Sequence, residues 1–117
     1  MKLSFIFTTL NQLKIDHWQT KSFAEHKALG SAYEELDELF DSFVEKFYGR
    51  QGITEDKVTY TIKLDSYKGD LIAQYDQLRN SVIEYLNSIT QNRNDLKNIQ
   101  DEIEGTFNQL LYRLQQK

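Results

Sequence analysis

The 117-residue chain is predicted to be all-α, a four-helix bundle with one long crossover between helices 2 and 3. Three observations carry that prediction. Proline is absent, which suits long unbroken helices and argues against a loop-rich or multi-turn β architecture. Apolar residues recur at steps of three and four in four separate stretches, the period of a helix that buries one face. Between the second and third of these lies a stretch of about 19 residues without that period, long enough to demand a geometric reason in so small a chain.

The first helix is expected over about residues 2–20, where Leu3, Ile6, Leu10, Leu13 and His17 form one stripe. His17 continues the line, so it is expected to face the core or an interface. Ser22 followed by Glu25 has the spacing of a capping box, in which each side chain satisfies a free N–H at the helix start. A turn is therefore placed near Thr20–Ser22. The second helix follows from Phe23 to about Tyr48, with Leu29, Tyr33, Leu36, Phe40, Phe43 and Phe47 on its apolar face. Gly49 and then Gly52 are natural stops.

Residues 49–67 form the crossover. Val58, Tyr60, Ile62 and Leu64 alternate with polar residues, as an extended segment does. Such a segment reaches ~60 Å at ~3.3 Å per residue, more than the ~40 Å of the second helix. It is long enough to run the length of the bundle and make the second and third helices parallel, which is the ferritin-like topology. The third helix, about 68–89, carries Leu71, Tyr75, Leu78, Val82, Tyr85 and Ile89. The fourth, about 94–116, carries Leu96, Ile99, Ile103, Phe107, Leu110 and Leu114. The polar run Thr90–Asn94 is the short turn between them.

Composition narrows the function. With no cysteine, disulfides, thiolate metal sites and Cys nucleophiles are excluded. The net charge is −4 without a Lys/Arg cluster, so the sequence does not support DNA binding by phosphate neutralisation. The apolar run Leu3–Phe7 is too short for a signal peptide and breaks at Thr8–Thr9. No stretch approaches the ~18 apolar residues of a membrane span. A cytoplasmic protein is expected. No P-loop, nucleophile elbow or zinc-protease motif supports a hydrolase or transferase.

Metal chemistry, in contrast, has candidates. On the second helix His26, Glu34, Asp37, Asp41 and Glu45 fall within an arc of about 100°, beside the apolar face. Imidazole nitrogen with carboxylate oxygen suits iron, manganese or zinc. The competing reading is a solvated acidic face with a hydrogen-bonded structural His17. Trp18 is expected to be a packing anchor. Glu84, Asp101 and Glu102 suggest a different constellation, but the sequence has no Glu-x-x-His and no histidine in its last two helices, which disfavours a di-metal site inside one subunit. Asp101 and Glu102 are read as capping, salt-bridging or interface residues.

His17-Trp18, Phe23, His26 and Asp41-x-x-x-Glu45 ahead of Gly49 resemble the signature of the Dps-type mini-ferritins over roughly residues 10–49. The last helix, with Asp95-Leu96-x-Asn98-Ile99-x-Asp101-Glu102, is also similar to short Dps-like proteins of phage origin. The resemblance implies a homo-oligomer, a dimer or larger cage, that binds iron, with ferroxidase or storage activity. Its site would set His17 and His26 of one subunit against Asp41 and Glu45 of another. Three features depart from the family pattern: the two histidines lie closer in sequence, the basic N-terminal tail is missing, and Gly30 replaces an acid one turn after the second histidine. Asp37 or Glu34, on the same strip, would have to stand in for that acid. The alternative reading is a non-enzymatic structural or interaction protein with a degenerate metal site. A helical adaptor unrelated to metal ranks third.

Overall fold

The computed structural model describes residues 1–53 and 59–116, so Val58 of the alternating segment lies outside the described residues. Four helices follow in order: α1 (Ser4–Gln19), α2 (Phe23–Gln51), α3 (Leu71–Asn87) and α4 (Asn94–Leu114), with no strand among the described residues. The all-α four-helix expectation holds.

The helix ends show which local signals won. Ser22 caps α2, its Oγ accepting the Glu25 N–H at 3.2 Å. The reciprocal arm of the capping box is not made. The Glu25 carboxylate instead accepts from the Thr20 hydroxyl at 2.6 Å and from the Tyr67 hydroxyl at 2.8 Å, while the Ser22 N–H donates to Thr20 Oγ1. Glu25 has been recruited to hold the crossover. Gly49 does not stop α2, which continues to Gln51. The stop is Gly52, whose φ of +82° is one that L side chains rarely adopt. At ~1.5 Å per residue this helix is ~44 Å long, matching the 44 Å long dimension of the molecule. Helix α3 starts at Leu71 rather than 68, because Gly69 turns the chain at φ +93° and Asp70 then caps the Ala73 N–H.

Helix pairs α1–α2, α2–α4 and α3–α4 pack against one another. Helix α1 also meets α3 antiparallel, with Asp16 bonded to Tyr75 at one end and the Phe5 ring 4.9 Å from that of Tyr85 at the other. Thr106 reaches Glu35, and Arg93 reaches the Lys46 carbonyl, so α4 runs antiparallel to α2. Asn87 meets Gln100, so α4 is antiparallel to α3 as well. Helices α2 and α3 therefore run parallel. The segment between them climbs beside α1: Tyr60 stacks edge-on with Phe7, Asp65 pairs with Gln12, and the Tyr67 N–H donates to Gln19. Leu13, Leu29, Phe43, Leu86, Ile103 and Phe107 are fully buried between the helices, each stabilising by about 1.5–3 kcal/mol.

Candidate metal centre

His17 stands in the last turn of α1 and His26 in the first turns of α2, so the short connection Thr20–Ser22 folds one back onto the other. Their rings stack, with centroids 3.8 Å apart and planes 16° from parallel. Nδ1 of His17 lies 2.7 Å from the His26 carbonyl oxygen, and Nδ1 of His26 lies 2.8 Å from the His17 carbonyl oxygen. A carbonyl only accepts, so both Nδ1 atoms carry hydrogen and donate. In the neutral rings this fixes the tautomer and leaves both Nε2 atoms as lone-pair donors. Metal-binding histidines are characteristically oriented in this way, by giving the other ring N–H to a carbonyl or carboxylate.

Gly30 belongs to the same arrangement. A Cβ placed there would come 2.9 Å from His17 Cε1 and 3.2 Å from its Nδ1. The glycine thus provides the surface on which the His17 ring lies, which accounts for its presence inside a helix where it costs about 1 kcal/mol relative to alanine.

The acidic candidates are placed elsewhere. Asp37, Asp41 and Glu45 are exposed on α2, as is Glu34. His26 and Asp41 are separated by ~22 Å along the helix at ~1.5 Å per residue. Among the described residues no group of three or more His, Asp or Glu side chains could hold a metal ion. One chain therefore brings together the two histidines and leaves the acids apart. Asp37 and Asp41 line a groove between α1 and α2 with Leu3, Phe7, Phe40 and Val44. Trp18 is not the expected packing anchor: it is 69% exposed, because its position on α1 turns outward beside His17, and Lys14 covers its ring at 5.5 Å. Phe23, with Lys27 Nζ 5.6 Å over its ring, is 74% exposed and Phe7 43%, so the α1/α2 side carries three exposed aromatic rings.

Asp16, absent from the candidates above, is fully buried. Its carboxylate accepts from the Tyr75 hydroxyl at 2.6 Å and from Gln74 Nε2 at 2.7 Å, with Gln12 Nε2 at 3.4 Å. Gln12 in turn grips the crossover, donating to the Asp65 carbonyl at 2.8 Å and accepting its N–H at 2.9 Å. Burial, and then the hydrogen bond to Asp16, push the Tyr75 hydroxyl far above its ordinary pKa, so it stays a donor. The readable signal was a second, polar stripe on α1: Thr9, Gln12, Asp16 and Gln19 follow at steps of three and four.

Residues 17–114 match a family of unknown function (DUF5856), a span that includes every residue of the candidate centre. No curated protein and no solved structure matches the chain.

Proposed function

The chain belongs to the DUF5856 family, and we propose that it is a ferritin-like, Dps-type homo-oligomer that takes up iron at a His/carboxylate site completed between two copies. His17 and His26 of one copy would supply imidazole nitrogen. Asp41 and Glu45 of the other, with Asp37 as an added acid, would supply carboxylate oxygen. The observation that carries this reading is the clasped histidine pair, with both Nδ1 atoms committed to carbonyls and neither Nε2 hydrogen-bonded among the described residues.

Three further points support it. Two α2 helices crossing antiparallel about Tyr33 and Glu34 would set His26 of one copy opposite Asp41 of the other, the relation a two-fold axis imposes. The exposed rings of Phe7, Trp18 and Phe23 give that side the apolar character of an association surface. The parallel α2 and α3 with their long crossover fit the ferritin-like topology.

A second reading, a structural or interaction bundle without metal chemistry, is favoured by one observation: the His17 ring is seated on Gly30, where the family resemblance leads one to expect an acid.

Metal analysis of the purified protein after loading with Fe(II) or Co(II), together with its mass in solution, separates the two. A defined metal ratio that is lost in the His17→Ala/His26→Ala variant supports the iron reading. A metal-free oligomer that oxidises Fe(II) no faster than buffer supports the structural one.

A further inference from the structure

Two neighbouring hollows along the junction of α2 and α4 together form a trench, on a different side of the molecule from the α1/α2 groove that Asp37 and Asp41 line. Its floor is lowered by small residues: Ala24, Ala28 and Ser31 on α2, and Gly105 and Thr106 on α4. One half is lined by Glu35, Glu38 and Glu102. The other half is lined by Lys27 and Arg113. Neither cation has a carboxylate partner among the described residues, where the ion pairs are Lys68–Asp65, Arg79–Asp76 and Arg93–Asp95. Among the described residues Glu35 has only the Thr106 hydroxyl within reach, at 3.3 Å, and that hydroxyl also lies 3.0 Å from the Glu102 carbonyl.

The two halves are nearly symmetric about the middle of the trench. On α2, Lys27 stands ~12 Å from Glu35 and ~16 Å from Glu38. On α4, Arg113 stands ~16 Å from Glu102, in each case at ~1.5 Å per residue. The midpoints fall near Ser31 and Ala32 on α2 and near Phe107 on α4, close to where Thr106 bonds Glu35 across the helix pair. A two-fold axis lying across the trench at that level places the basic half of one molecule over the acidic half of its mate, and the reverse. An axis along the trench would instead oppose like charges.

From this we infer that the α2/α4 trench is a self-association surface whose occupant is a second copy of this chain, turned end for end. Charge complementarity selects this partner, because the face matches its own reverse: two cations meet three carboxylates on each side of the axis. The small residues let two α2 helices approach closely, and the charges set direction more than strength. The interface is independent of the iron reading, since it uses none of the candidate metal residues.

The test uses two variants of the full chain, Lys27→Glu/Arg113→Glu and Glu35→Lys/Glu38→Lys/Glu102→Lys, with circular dichroism confirming that both fold. Association is read by sedimentation at about 50 mM and about 500 mM salt. Zero-length carbodiimide coupling of Lys27 to Glu35 or Glu38 is read between isotopically distinct copies. Within one helix these pairs lie too far apart to couple. The wild type is expected to couple between copies and to associate more weakly at high salt. Each variant alone should associate about tenfold more weakly or worse. An equimolar mixture of the two should recover association, because one then carries a wholly acidic face and the other a wholly basic one. A wild type without inter-copy coupling, or variants whose mixture behaves like the separate samples, would overturn the assignment. If the wild-type oligomer survives both reversals but not Trp18→Ser, the trench assignment fails and the α1/α2 association stands.

Discussion

Gly30 and Asp16 show how single residues hold their neighbours in place: Gly30 seats the His17 ring and Asp16 anchors the Tyr75 hydroxyl. Replacing Gly30 with alanine should add about 1 kcal/mol of helix propensity and displace the His17 ring, whose hydrogen bond contributes a similar amount. Global stability should therefore hardly move, while the ring's hydrogen bond is lost. Imidazole nitrogen NMR is expected to show Nδ1–H tautomers for both histidines in the wild type and to lose that signature at His17 in Gly30→Ala. Unchanged His17 signals would contradict the packing described. Asp16→Ala leaves the Tyr75 hydroxyl and the Gln74 amide without their acceptor in the interior. A loss of about 3 kcal/mol is expected by chemical denaturation. The raised pKa of Tyr75, joined by that of Tyr67 held by Glu25, fixes the sign of a pH dependence. Both hydroxyls ionise more readily in the unfolded chain, so their contribution is complete below about pH 10. It is lost as pH rises through the folded-state values. Tyr75→Phe should flatten the alkaline limb of stability against pH, and an unchanged limb would remove Tyr75 as its cause.

At the scale of elements, the crossover is held by polar side chains of α1 as much as by apolar contact. Gln12 does for Asp65 what a neighbouring strand would do, satisfying both its N–H and its C=O. Gln12→Ala should accelerate hydrogen exchange at the Asp65 amide by at least about tenfold, while amides in the middle of α2 and α4 exchange as before. The four apolar stripes made the helices legible in the sequence, because burying one helical face imposes a period that few other structures share. Their ends were less legible. Gly49 and Gly52 are both plausible stops by composition, and only the backbone angle distinguishes the residue that needs to be glycine. The capping box at Ser22 was half right, since Glu25 serves a partner distant in sequence that local spacing does not reveal. Trp18 departs from the expected packing role because size predicts burial only when the position faces inward.

For the whole molecule, the histidine pair was legible because the two residues flank a turn, and a turn brings its flanks together. The acids of the strip were legible as a face but not as part of a site. A single chain keeps Asp41 ~22 Å along α2 from His26, so what unites them, in the proposed assembly, is symmetry rather than folding. The same charge pattern on α2 and α4 that looks like simple acidity in composition resolves, in three dimensions, into a trench with opposed ends. The most direct test of the central claim is complementation between two variants, His17→Ala/His26→Ala and Asp41→Asn/Glu45→Gln, by Co(II) or Fe(II) binding before and after mixing and subunit exchange. Neither variant alone is expected to bind metal. The mixture should regain binding, because each mixed pair holds one intact set of two histidines from one copy and two acids from the other. Full binding by the acid variant alone, or no recovery on mixing despite demonstrated exchange, would contradict a site shared between copies.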